Sequence, residues 1–123
     1  MFGFFKPKPL GKQGEAHAAR YLRAQGYRIL DRNVQLGRYE IDIIVLDGDT
    51  TVFVEVKTRS SDDGFAPELN VNHEKQRRII KAARQYISEQ DNPDMYYRFD
   101  IFSVILPEKG APTIKHFEDA FQE

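Results

Sequence analysis

Apolar and polar positions alternate most sharply between residues 40 and 57, EIDIIVLDGDTTVFVEVK, where two Ile- and Val-rich runs flank Asp47-Gly48-Asp49-Thr50. A period of two on either side of an Asp-Gly turn predicts an antiparallel hairpin. On its first strand Glu40, Asp42, Ile44 and Leu46 share one face, and Ile41, Ile43 and Val45 share the other. On the second, Thr51, Phe53, Glu55 and Lys57 point one way, while Val52, Val54 and Val56 form a core-facing row. With Gly48 and Asp49 at the turn, Asp47 pairs with Thr50. That register sets Asp42 opposite Glu55 and Glu40 opposite Lys57.

The pattern changes period on either side. Residues 12 to 25, rich in Ala, Arg, Gln and Leu, predict a helix closed by Gly26, with Glu15, Ala18, Ala19 and Leu22 on the face that meets the sheet and His17 at the surface. Tyr27 to Leu30 is a short strand, after which Arg32-Asn33 leads through Gly37 to the hairpin. Thr58 to Asn72 has the Ser, Asp, Gly and Pro content of a loop, a candidate substrate flap or dimer contact. Asn72 caps a helix running to about Glu89 and ending at Asp91-Asn92-Pro93. Its buried stripe is Ile79, Ile80, Ala83, Tyr86 and Ile87, and Arg77, Lys81 and Arg84 form a basic row opposite. Lys75 lies nearer the apolar edge, and His73 is read as surface. Residues 97 to 105 form a strand in which Asp100 takes part in a structural ion pair with Arg98 or an arginine such as Arg77. A turn at 107–110 leads to an edge strand over 111–117 carrying His116. The order of helices and strands predicts an α/β domain with a central mixed sheet flanked by helices.

At 123 residues the chain suits one domain, here 11–117, between a frayed tail over 1–10 and a loose acidic end over 118–123. It has no cysteine, which removes disulfide frameworks and thiolate metal sites and suits a reducing cytoplasm. No run of about 18 apolar residues and no secretory leader are visible, so a soluble protein is expected. A net charge of −1 argues against a generally basic nucleic-acid binder, but the basic residues are grouped.

Opposed carboxylates repel, and a fold tolerates them where a cation or a shared proton lies between them. Asp42, Glu55 and the Val56 carbonyl offer the all-oxygen set that a hard cation such as magnesium prefers. Lys57, on the same face as Glu55, would place its ammonium beside any metal-bound water. Glu15 is a carboxylate on an apolar helix face, costly unless paired or bound to a cation, although a Glu early in a helix also suits the helix dipole. The plainer alternative is a solvated hairpin face with Lys57 paired to Glu40. Arg38 and Arg59 could meet phosphate or solvate strand ends. The row of Arg77, Lys81 and Arg84, with Lys75, is either a solvated face or a set of phosphate contacts.

Asp42 followed by Glu55-Val56-Lys57 resembles the signature of the PD-(D/E)XK nuclease superfamily. Gly11-Lys12-Gln13-Gly14-Glu15, Gly26-Tyr27, Arg32-Asn33, Glu40-Ile41-Asp42, Val52 to Arg59 and Lys75 to Tyr86 resemble, in order, the small bacterial YraN-like family, akin to archaeal Holliday-junction resolvases. The likeness covers roughly residues 11 to 104. It departs from the family at Tyr39, where Gly is usual. The resemblance implies a restriction-endonuclease-like fold and a DNA endonuclease for which branched DNA is a candidate substrate. It further implies Mg2+ or Mn2+ held by Asp42, Glu55 and the Val56 carbonyl with help from Glu15, and Lys57 orienting or deprotonating water. Glu40 tunes Lys57 in this reading. Cleavage would leave a 5′-phosphate and a 3′-hydroxyl, and a homodimer would suit a two-fold junction. The rival is a non-catalytic DNA-binding or scaffold module of repair or recombination that acts through a partner. An RNA nuclease ranks last, because no aromatic stacking platform is evident.

Overall fold

In a computed structural model that describes residues 9–61, 71–92 and 94–123, the hairpin lies at the middle of a five-stranded sheet. The elements run α1 (Leu10–Ala24), β1 (Arg28–Leu36), β2 (Tyr39–Asp47), β3 (Thr50–Arg59), α2 (His73–Ser88), β4 (Tyr96–Ile105) and β5 (Thr113–Phe121). Spatial order follows chain order. Only β3 and β4 are parallel, and a parallel pair needs a crossover, which α2 supplies. The result is the mixed α/β sandwich that the periodicity predicts.

Each helix covers one face. From α1, Ala18, Ala19 and Leu22 pack on Ile43, Val45, Val52, Val54, Phe102 and Val104. From α2, Ile79, Ala82 and Ala83 pack on Ile44, Phe53, Phe99 and Ile101. Removing a side chain such as Phe53 or Ile44 from water contributes about 1.5–3 kcal/mol, so the hairpin is anchored from both sides. The valine row behaves as expected, with Val52 and Val54 buried and Val56 packed against the same cluster. The predicted α2 stripe holds, with Ile80, Tyr86 and Ile87 half-buried beside it and Ala82 added.

Five expectations need correction. The first strand is not confined to residues 27–30 but runs from Arg28 to Leu36. Its exposed, polar face hides the strand period, and it accommodates a register shift between Ile29 and Asp31 and a left-handed Asn33 at φ 53°, a conformation that Asn tolerates. Ile41 packs with the α2 cluster rather than beside Ile43 and Val45. The register from Asp47–Thr50 is as expected but its ladder stops at Ile43–Val54, so neither the expected pairing of Asp42 with Glu55 nor that of Glu40 with Lys57 forms in the ladder. Finally, the acidic end is not loose: β5 extends through Phe121, which is buried and stacks on Phe99 at 5.0 Å. Thr58 and Arg59 belong to β3 rather than to a loop. The remainder of the expected flap, 62–70, and the tail over 1–8 lie outside the described residues. Among the described residues no helix is long and apolar enough to cross a membrane.

Candidate active site

The ladder stops at Ile43–Val54 because a side chain takes over from the backbone. Asp42 Oδ2 accepts the Val56 N–H at 2.8 Å, holding the carboxylate at the edge where β2 leaves β3. Burial raises the Asp42 pKa, the neighbouring Glu55 charge raises it further, and the Val56 N–H only partly offsets them; the carboxyl is pushed up to about 8. A cation placed beside it would relieve that cost.

Glu15 reaches the same place from α1, on the opposite side of the sheet from α2. It is only 7% exposed, and its Oε1 has no hydrogen-bond partner. The nearest cation, Lys12 Nζ, is 3.7 Å away, an ionic contact too long for a hydrogen bond. Burial raises the Glu15 pKa, although Lys12 works the other way. The helix comes this close because residue 14 is glycine: a Cβ there would lie 1.9 Å from Thr58 Oγ1. Carboxylate oxygens of Glu15, Glu40 and Asp42 all lie within 4.8 Å of one another. Lys12 bridges the group, 3.6 Å from Glu40 Oε1 and bonded to Asn33 Oδ1 at 2.6 Å.

Glu55 sits on the α2 side of β3 and is itself buried. Tyr39 Oη donates to its Oε2 at 3.0 Å, Lys75 Nζ lies 2.8 Å from its Oε1, and Lys57 Nζ lies 3.9 Å from the same oxygen. Burial lowers the Lys57 pKa and the adjacent Lys75 ammonium lowers it further. For Lys75, burial acts downward, but the bond and charge of Glu55, the contact with Lys57 and the Asp42 charge together outweigh it, and the pKa is raised. Tyr39 is raised by burial and by the Glu55 charge, so its hydroxyl stays protonated and donates.

The structure therefore gathers Glu15, Asp42, Glu55 and Lys57 around the splayed end of the hairpin, with Val56 bonded to Asp42 through its N–H. Glu40 is placed differently from expectation, with Glu15 and Asp42 rather than beside Lys57, because β2 turns away from β3 before reaching it. Lys75, read as a phosphate contact, is an ion-pair partner of Glu55. Arg59 is half-buried at the end of β3, where its carbonyl accepts the Leu106 N–H at 2.8 Å. The basic row divides: Arg84 is ion-paired to Glu123, Arg77 is exposed on α2, and Lys81 lines a cavity together with Arg38. Sequence reasoning missed Lys12, whose signal was its i,i+3 spacing to Glu15, and Tyr39, whose signal was its place where Gly is usual.

The fold and the site define a small α/β domain that concentrates three carboxylates, and a fourth held by two lysines, at the open end of a hairpin. The chain belongs to the family described as uncharacterised protein family UPF0102, whose model matches residues 14–104. It is 46% identical over 112 residues to a UPF0102 protein of Chlorobaculum parvum, covering 91% of this chain and 87% of that one. A UPF0102 protein of Chlorobium limicola is 45% identical, with 95% of each chain covered. Among solved structures, Pyrococcus furiosus SfsA in complex with Ca2+ aligns over 89% of this chain and 62% of its own at 13% identity. Its TM-score of 0.37 is too low for the likeness to bear on fold or activity.

Proposed function

We propose that this protein is a metal-dependent endonuclease that hydrolyses DNA phosphodiester bonds. The observation that carries the reading is the buried Glu15, whose Oε1 has no hydrogen-bond partner among the described residues and whose carboxylate lies with those of Glu40 and Asp42 within 4.8 Å of one another, beside an Asp42 that burial and Glu55 push up to about 8. An all-carboxylate set fits a hard divalent cation, Mg2+ or Mn2+, better than a softer one. Asp42 and Glu15 would hold it, with Glu40 next to them and Glu55 and the Val56 carbonyl on the adjoining strand. When bound, the ion supplies Lewis acidity toward a phosphoryl oxygen and acidifies a water. Lys57, whose pKa is depressed by burial and by Lys75, orients or deprotonates that water and offsets charge on the pentacoordinate phosphorus. Lys75 and Tyr39 hold Glu55 in place. The products would be a 5′-phosphate and a 3′-hydroxyl, and a symmetric dimer would suit two cuts at a branched site.

One observation favours the rival reading, a DNA-binding or scaffold module: Glu55 is already engaged by Tyr39 and Lys75, as in a settled structural network. Labelled duplex, single-stranded, flap and four-way-junction DNAs incubated with Mg2+ or Mn2+ decide between them. Catalysis predicts metal-dependent cutting that Asp42→Ala abolishes and Lys57→Ala slows by about 10²–10³-fold. Binding without cutting under every metal supports the scaffold.

A further inference from the structure

Beside the acidic site, on the other side of Tyr39, lies a cavity of about 550 Å³ between the β1–β2 turn and α2. Its volume falls within the ~300–1,000 Å³ of small-ligand pockets. Leu36 and Ala82, 6% and 3% exposed, help form its floor, and Tyr39 forms the wall toward Glu55. Arg38, Lys81 and the Gln85 amide stand at the rim. Arg78 also lines it but is ion-paired to Glu74 at 2.6 Å, whereas neither Arg38 nor Lys81 has an ion-pair partner among the described residues.

An apolar floor, one aromatic wall, an amide and two cations without an ion-pair partner among the described residues match a planar base carrying a phosphate. Building on the nuclease reading, we propose that this cavity takes one unpaired deoxynucleotide, the neighbour of the phosphate that the acidic site receives. Its base lies against Leu36, Ala82 and the Tyr39 ring, its edge meets Gln85, and its phosphate meets Arg38 and Lys81. Tyr39 joins the two compartments, its ring in one and its hydroxyl on Glu55 in the other. A base inside a duplex is covered on both faces and reaches such a cavity only after leaving the stack, which costs least where the strand is already unpaired. The cavity therefore selects DNA with an unpaired nucleotide at the cut, namely single strands, flaps and open junctions, over continuous duplex.

The test reads binding, without divalent metal and without cleavage. The full chain is titrated with dAMP and with inorganic phosphate while the Gly37, Ala82 and Gln85 amide resonances are followed. The expected result is that dAMP shifts all three and binds about tenfold more tightly than phosphate. The exposed pair Arg38→Ala and Lys81→Ala, which leaves the core untouched, should lower dAMP affinity at least about tenfold. It should also weaken single-stranded DNA far more than duplex of the same sequence. Equal binding of dAMP and phosphate, or equal losses on single strand and duplex, overturns the inference and leaves Arg38 and Lys81 as plain backbone contacts. Tighter binding of an RNA strand overturns the deoxynucleotide assignment. A protein that prefers dAMP but never cuts retains the pocket and loses the nuclease, whereas one that cuts with no such preference loses the pocket alone.

Discussion

Two aspartates at the sheet, Asp42 and Asp100, meet opposite treatment. Asp100 is fully buried on the α1 side of β4. Its carboxylate accepts from Arg98 Nε and Nη2 at 3.0 and 3.2 Å and from the Asp119 N–H at 3.0 Å, and lies 2.6 Å from His116 Nε2. Burial alone would raise its pKa, but His116, Arg98 and the Asp119 N–H outweigh it and hold the carboxyl below its usual value. Arg98 extends the network to Asp47 and to the Tyr27 hydroxyl, each at 2.9 Å. Asp42 has one backbone donor, faces Glu55 and Glu15, and is pushed up to about 8. A carboxylate whose hydrogen-bonding capacity is filled by its own chain holds a fold together; one packed among other carboxylates is poised for something the chain does not contain.

Removing each one tests the contrast, and the largest effect is expected at Asp100. Asp100→Ala leaves Arg98, whose side chain is 18% exposed, with Asp47 as its one carboxylate among the described residues, removes the partner of His116 and of the Asp119 N–H, and should cost about 3–5 kcal/mol in urea unfolding. Asp42→Asn relieves repulsion and should leave the metal-free protein as stable as wild type or more so, while abolishing Mn2+ binding in calorimetry. Equal destabilisation by the two substitutions would erase the distinction.

The two also respond to pH with opposite sign. Around neutrality the unfolded chain has released the Asp42 proton while the folded chain retains it, so the folded state binds more protons and stability falls as pH rises. Metal-free protein should therefore lose stability between about pH 5 and about pH 8, and Asp42→Asn should flatten that slope. Asp100, with its pKa lowered, contributes stability above the unfolded carboxyl value that is lost as pH falls through the folded one. Unfolding free energies measured across both ranges check each limb.

A smaller effect is expected where α1 delivers Glu15. An exposed mid-helix Gly normally gains about 0.5–1 kcal/mol on becoming Ala. At Gly14 the new methyl would meet Thr58 Oγ1, Cγ2 and Cβ at 1.9, 2.7 and 2.8 Å. Gly14→Ala should therefore lose about 1–3 kcal/mol and weaken metal binding, since Glu15 moves with the helix. Pairing it with Thr58→Gly, which removes all three atoms, should recover much of the loss relative to Thr58→Gly alone. A Gly14→Ala protein that is more stable than wild type would mean that the close approach has no consequence.

The hairpin was legible because period two, the Asp-Gly turn and the valine row all specify one register, and with it the proximity of Asp42 to Glu55. The helix periods likewise brought Glu15 to the sheet. Residues whose roles depend on elements meeting at a distance were not legible. Lys75 pairs with Glu55 only because α2 begins beside the end of β3, and Glu40 joins Glu15 only because β2 turns away once the Asp42 side chain takes the Val56 N–H. The charges at the end of β5 suggest a loose tail, yet Phe121 is buried against Phe99 while Glu118 accepts from the Tyr27 hydroxyl at 3.2 Å. Charge count could not reveal this, because Glu118 and Glu123 have their partners on distant elements, Tyr27 for the first and Arg84 and Tyr97 for the second.

The smallest predicted effect on stability bears directly on the site. Asn72 Oδ1 accepts the Lys75 N–H at 2.9 Å, capping α2, and Lys75 Nζ in turn reaches Glu55 at 2.8 Å. The cap therefore fixes the first turn from which that ammonium is projected. Asn72→Ala should cost about 1 kcal/mol, whereas Asn72→Asp, which keeps an acceptor and adds a charge that the helix dipole favours, should cost little. If the cap serves only the helix, cleavage of the preferred DNA at saturating metal follows the folded fraction and is unchanged in both variants. If it also positions Lys75, the rate falls in Asn72→Ala while the protein is still fully folded, returns in Asn72→Asp, and is already low and insensitive to the cap in Lys75→Met. That pattern would show that the lysine pairing that distinguishes Glu55 from Asp42 is set by the start of a helix rather than by the sheet.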